Sequence, residues 1–282
     1  MTPLLSRHAG TLLVSCLIGL GGDIASAAPY QVGDTVTNLT FTVRREFTRP
    51  DGAIVPAGSQ ARIQDFAGHV VFLEWFAVWC PFCIAAVPQI DAGIRGWYES
   101  RSGNPYGVPV LHLFVNQESG VGFQNRTSTY IKDKLSSSTI VFNDYGIPGS
   151  NPVRAAFQSS GQPIFAVING ITNSPTHQPW QVLVNHRGYG ETDFGQEILN
   201  FRAAIDAVQP PVVAPLLTNA HREGADFEFN IQSQIGSSYQ VLSSTNMTSW
   251  TALRTNIGAS SLTTFRDTNA PPDLNFYRVV TP

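Results

Sequence analysis

Cys80 and Cys83 are separated by two residues in Trp79-Cys80-Pro81-Phe82-Cys83, a spacing that suits thiol-disulfide exchange. Exchange needs a thiolate, and an ordinary cysteine with a pKa near ~8.5 is mostly protonated at neutral pH. An apolar run precedes the pair and a helical pattern follows it, so Cys80 falls at a helix N-terminus. Unpaired amides and the positive end of the helix dipole favour a charged sulfur there. Cys80 is therefore the predicted attacking thiol, and Cys83, one turn later and deeper, the resolving one. Zinc would need about four ligands, and the chain has no second Cys-x-x-Cys or close histidine pair. A purely structural bridge would close too short a loop to constrain the chain much.

The elements around the pair follow from hydrophobic patterning. Residues 70–78 are continuously apolar except for Glu74, which predicts a strand at the centre of a sheet covered on both faces. Ionising Glu74 there is costly, so its pKa is expected to rise and the carboxylate to take a proton from Cys83. An exposed edge or an arginine partner is the alternative setting for Glu74. Pro81 fits a helical first turn, and Ile84, Val87, Ile90, Ile94 and Trp97 recur at helical spacing, predicting a helix over 81–97 that Pro88 kinks. Trp79 and Phe82 are expected on an exposed apolar docking surface and Trp75 in the core. His69, His112, His177 and His186 are scattered and are expected to be structural or surface residues.

Elsewhere, alternation over 39–43 predicts a strand, and Asp51-Gly52 a hairpin turn before 53–63. Strands are expected at 108–115 and 139–142, a helix at 130–135, a long-tipped hairpin from 164–168 and 180–185, and a helix over 194–208. This alternation implies an α/β fold with a mixed sheet flanked by helices, spanning 30–208. A proline-rich linker at 209–218 then leads to short strands and turns over 219–282, which predict a small all-β sandwich.

The chain of 282 residues has a formal net charge of -3 and no basic block, so nothing predicts binding to nucleic acid or anionic lipid. Arg7, the apolar stretch 12–20 and Ala25-Ser26-Ala27 read as a signal peptide over 1–27, cleaved before Ala28. A retained anchor is the alternative, although Gly19, Gly21, Gly22 and Asp23 interrupt the run. Leu13-Val14-Ser15-Cys16 also resembles a lipoprotein box that would lipidate Cys16. Membrane attachment is expected only by one of those two routes. Of the three cysteines, the mature chain then keeps Cys80 and Cys83 as free partners. The expected location is outside the cytoplasm, in the periplasm or cell envelope of a bacterium.

Together, the strand 72–78, Trp79-Cys80-Pro81-Phe82-Cys83 and Pro88 resemble the thioredoxin fold, specifically the exported TlpA/ResA-type thiol-disulfide oxidoreductases, over roughly residues 31–208. The resemblance implies a carboxylate six residues before the first cysteine, which is Glu74. It also implies a cis-proline facing the cysteines, matched by Pro163 in Gly161-Gln162-Pro163-Ile164-Phe165, with Gln162 exposing its backbone to a substrate segment. Gln162 stands where a small or β-branched residue is common. The gap of ~80 residues between cysteines and proline implies an inserted helix and strand. Implied partners are protein disulfides or dithiols, bound by Trp79, Pro81, Phe82, Gln162 and Pro163, and an electron-donor protein. No cofactor is expected beyond the redox-active Cys80–Cys83 disulfide, and no metal.

Residues 239–250 and 276–279 resemble small β modules appended to exported bacterial proteins. They leave a competing function open, a surface protein whose β part binds an envelope partner over a thioredoxin-like scaffold. Peroxiredoxin chemistry fits poorly, since Ala77 stands where that family has Thr or Ser.

Overall fold

Residues 70–76 form the central strand of a seven-stranded mixed sheet in a computed structural model of the chain. The structure describes residues 29–281 apart from 38, 119–120, 145–151, 159, 191–193, 212, 235–236, 259, 269 and 272–274. The expected signal peptide and Cys16 lie outside the described residues.

In chain order the elements are β1 (Thr40–Val43), β2 (Phe47–Thr48), β3 (Ile54–Val55), β4 (Gln60–Arg62), β5 (Val70–Phe76), α1 (Pro81–Ile90) and α2 (Gly96–Glu99). Next come β6 (Val110–Asn116), α3 (Val121–Lys134), β7 (Ile140–Asn143), α4 (Pro152–Ala155), β8 (Ile164–Asn169), β9 (Val182–Arg187) and α5 (Phe194–Asp206). The sheet order is β4-β1-β7-β6-β5-β8-β9. β5, β6 and β7 run parallel, joined by helical crossovers, whereas β8 and β9 are antiparallel and close the far side. Between α2 and Pro163 the chain runs through β6, α3, β7 and α4.

All seven residues of β5 are buried, as a strand flanked by neighbours and covered on both faces must be. Alternation sends Val71, Leu73 and Trp75 to a core shared with Phe41, Phe142 and Phe157. Val70, Phe72 and Phe76 point the other way, where the cores contain Ala86 and Ile90, then Cys83 and Val87, of α1. Glu74 stands between Phe72 and Phe76 in this alternation, so the pleat aims it at the α1 face.

The helix expected over 81–97 is interrupted: α1 ends at Ile90, residues Asp91–Arg95 make a π turn, and α2 completes it. Pro88, inside α1, has no amide for the Ile84 carbonyl, and the irregularity lies just beyond it. Ile84 is 41% exposed, whereas Cys83, Ala86, Val87 and Ile90 form the buried face. Of the expected stripe, Val87, Ile90 and Ile94 are buried, whereas Cys83 and Ala86 take the place expected of Ile84. The strand expected over 53–63 is split into β3 and β4, because Pro56 has no donor for a ladder and Gly58 turns at φ 88°.

Residues beyond 215 form β10 (Leu216–Glu223), β11 (Asp226–Gln232), β12 (Ser238–Ser244), β13 (Thr251–Ile257), β14 (Leu262–Asp267) and β15 (Phe276–Val280). They make two three-stranded antiparallel sheets, β10-β11-β14 and β13-β12-β15. Phe229, Ile231 and Phe265 from the first sheet and Tyr239 and Val241 from the second share one hydrophobic core. The first strand starts at Leu216, inside the 209–218 stretch expected to be linker, because Leu216 and Leu217 already pair with Gln232 and Ile231. The proline-rich extended segment therefore stops at Pro215.

Candidate active site

Cys80 occupies the cap position of α1, with extended backbone at φ -87° and ψ 112°. Pro81 follows at the first helical position, where its missing N–H costs no helical bond. The Cys83 amide donates to Cys80 Sγ at 3.3 Å, so the two cysteines are joined through backbone while both remain free thiols. Cys80 is 3% exposed and Cys83 fully buried. Burial pushes the Cys83 thiol well above its ordinary range; the Cys80 sulfur and the Glu74 charge push in the same direction.

Trp79 and Phe82 are 52% and 50% exposed on either side of Cys80, and Trp75 lies in the core as expected. With Cys80 and Pro81 they form one wall of an open cleft of about 480 Å³. Gly161 and Gln162 also line it, and the Gln162–Pro163 peptide is cis. Pairing of Trp75 with Ile164 fixes this corner, since it puts the start of β8 beside the end of β5. The Pro163 carbonyl accepts from the Gly188 amide at 2.8 Å. Gly161 turns at φ 85°, and a Cβ there would sit 2.6 Å from the Arg187 side chain, so only glycine fits. The fold thus brings Trp79, Cys80, Pro81, Phe82 and Gln162 to one cleft, with Cys83 and Glu74 beneath it.

Glu74 is fully buried, and its partner is neither solvent nor an arginine. Its Oε2 lies 2.9 Å from Nε2 of His112, while Oε1 has no hydrogen-bond partner among the described residues. Burial raises the Glu74 pKa, and His112 pulls the other way. His112 was expected to be a structural or surface residue. The β5–β6 register sets Phe72 opposite His112, so His112 is two positions from Glu74 on the same face. The available signal was one titratable residue in each of two continuously apolar runs.

The cleft also holds Gln117, Glu118 and Arg154, none of which sequence patterning singled out. Asn116, fully buried, holds Glu118 in place: its Oδ1 accepts the Glu118 amide and its Nδ2 donates to the Glu118 carbonyl, each at 3.2 Å. Burial pushes the Glu118 carboxyl up, opposed by the neighbouring Trp79 side chain. Cys80 follows β5 and Glu118 follows β6, so both lie at the carboxyl ends of parallel strands, where α/β sheets form their sites.

Asp144 places Arg154. Its carboxylate accepts the Val153 amide at 2.8 Å and the Arg154 amide at 2.6 Å, anchoring the start of α4. Burial raises its pKa to about 6, against the pull of those two amides. Because the folded value lies above the unfolded one, the stability from this group is fully present below about pH 4 and is lost as pH rises through about 6. At about 1.4 kcal/mol per pH unit, the loss is about 3 kcal/mol. Urea unfolding at pH 4 and pH 8 should therefore show a larger drop in stability for wild type than for Asp144→Asn. Equal drops would mean that Asp144 does not carry this titration.

No protein-family model and no curated protein matches this chain. Solved structures do. A Chlorobium tepidum protein named as a thiol:disulfide interchange protein DsbE shares 17% identity, covers 62% of this chain and 98% of its own, and has a TM-score of 0.42. The thioredoxin domain of a Bacteroides vulgatus thiol-disulfide oxidoreductase shares 11% identity over 61% of this chain and 98% of its own, with a TM-score of 0.40. The exposed lipoprotein thioredoxin Etrx1 of Streptococcus pneumoniae shares 19% identity over 58% of this chain and 98% of its own, with a TM-score of 0.35.

Proposed function

We propose that the chain is an exported thiol-disulfide oxidoreductase of thioredoxin-like fold that reduces protein disulfides through Cys80 and Cys83. The observation carrying this is the vertical order of the site: a cleft-lining sulfur at a helix start, a second sulfur buried beneath it, and a buried carboxylate behind both. The sheet order, with parallel β5, β6 and β7 and antiparallel β8 and β9, supports the fold assignment.

In this mechanism Cys80 attacks one sulfur of a substrate disulfide as the thiolate, with the Cys83 amide directed at its Sγ. A mixed disulfide forms and the other substrate sulfur leaves with the electron pair. Cys83 then loses its proton to Glu74 and attacks Cys80, which releases the second substrate sulfur and leaves a Cys80–Cys83 disulfide. Trp79 and Phe82 hold apolar substrate side chains, while Gln162, presented by Pro163, pairs its backbone with an extended substrate segment. A dithiol electron-donor protein returns the couple to the reduced state. The apolar start of the chain and Ala25-Ser26-Ala27 support export.

Redox titration of the Cys80/Cys83 couple, with insulin reduction as the activity assay, tests the reading. A potential of roughly -270 mV with catalysed insulin reduction is expected of a reductase. A value near about -120 mV would reverse the assigned direction, and a pair that never forms a disulfide would overturn the function.

A further inference from the structure

The cleft in front of Cys80 has a cation in its wall that the exchange chemistry does not use. Arg154 lines this cleft with Cys80 and Gln162, and its backbone amide is fixed by Asp144. The Asp144 oxygens are taken by the amides of Val153 and Arg154. The Arg154 side chain is half-buried and makes no hydrogen bond or ion pair among the described residues. Its Nε is enclosed without a partner, which leaves the two terminal nitrogens as the donors a ligand can meet.

The other charged residue of the lining, Glu118, does not compensate this cation. Its carboxyl accepts a hydrogen bond from the Trp79 side chain, and it forms no ion pair with Arg154 among the described residues. Arg187 adds positive charge beside the Gly161 corner: it packs against Gly161, and its Nη1 donates to the Ser160 hydroxyl at 3.2 Å. The wall next to Gln162 is therefore positive, and Arg154 is the part of it inside the cleft.

We infer that Arg154 is a specificity-determining residue that reads a carboxylate on the substrate segment, so that the chain acts preferentially on protein disulfides with an acidic residue close to the cysteine. The inference rests on the oxidoreductase reading above and adds to it the class of substrate. An extended segment paired with the Gln162 backbone presents its cysteine toward Cys80, and residues two before and two after that cysteine point to the same side. A segment seated there covers Arg154 and takes water away from the guanidinium. If the segment offers no acceptor, a charge is left buried and unpaired, which costs binding. A carboxylate accepts from both terminal nitrogens at once, and a Lys at that place is repelled.

The test reduces symmetric peptide disulfides with the dithiol form of the full chain and follows the release of peptide thiol in a single turnover. The peptides differ only in whether the residues two before and two after the cysteine are Glu, Gln or Lys. Each rate is divided by that of the same peptide with dithiothreitol, which removes differences in intrinsic reactivity. Wild type is expected to favour the Glu peptide over the Gln peptide about tenfold and the Gln peptide over the Lys peptide, with both preferences shrinking in high salt. Arg154→Gln should abolish the order and Arg154→Glu should reverse it. Equal normalised rates in wild type would overturn the inference, as would a Glu preference that persists in Arg154→Gln. Should the variants fold poorly, the wild-type series at low and high salt decides, and a preference insensitive to salt would count against Arg154. Oxidised glutathione separates the sources of the carboxylate: if it is reduced rapidly while the peptides show no dependence on charge, a small disulfide is being read and the inference falls. If wild type reduces none of these disulfides, it is the oxidoreductase reading that falls, and the inference with it.

Discussion

Cys80→Ser should reduce the turnover of protein disulfides to the uncatalysed background, a loss of about three orders of magnitude or more. The alcohol that replaces the thiol does not ionise near neutral pH, so no sulfur nucleophile remains at the start of α1. Cys83→Ser should behave differently, because Cys80 keeps its cap position in the cleft. Attack on the substrate proceeds, the resolving sulfur is missing, and the substrate remains linked to Cys80. Mass spectrometry of the two variants after exposure to a disulfide-containing protein should find a one-to-one adduct with Cys83→Ser and none with Cys80→Ser. Adducts in the reverse pattern would exchange the assigned roles, and full turnover by Cys80→Ser would remove the proposed function.

Glu74→Gln is expected to slow the resolving step about 100-fold at neutral pH while leaving side-chain volume nearly constant. The buried Cys83 thiol holds its proton tightly, and Glu74 is the carboxylate whose charge reaches it. Single-turnover release from the Cys80 mixed disulfide measures this step apart from its formation. The same change alters stability with a defined sign. Burial raises the folded pKa of Glu74 above its unfolded value, so its stabilising share is present below about pH 4 and is lost as pH rises through the folded value. Wild type should lose more stability than Glu74→Gln between acid and neutral pH in urea unfolding. An identical pH slope, together with an unchanged resolving rate, would show that Glu74 neither titrates in the fold nor takes the proton.

The parts of this site that were legible in the sequence are those written contiguously. An unbroken apolar run can hardly be anything but a central strand, and Cys80, Pro81 and Cys83 carry their cap geometry in their order. Pro163 was legible through its place ahead of the final hairpin. His112 was not, because its role depends on the register of β5 against β6, which no local pattern specifies. Glu118 and Arg154 escaped for another reason: each is held by a buried polar anchor, Asn116 for one and Asp144 for the other, that no hydrophobic period marks. Ile84 and the start of β10 show the smaller errors of patterning, one stripe residue that is exposed and a strand begun three residues early.

The flanking of Cys80 by Trp79 and Phe82 bears on how long such a thiol lasts against oxidants. A cysteine only 3% exposed offers dissolved peroxide little surface, while the two aromatic rings beside it stand half in solvent. Irreversible oxidation to the sulfinic and sulfonic acids begins from an accessible thiolate. Burial of Cys80 is thereby expected to slow its loss to small oxidants.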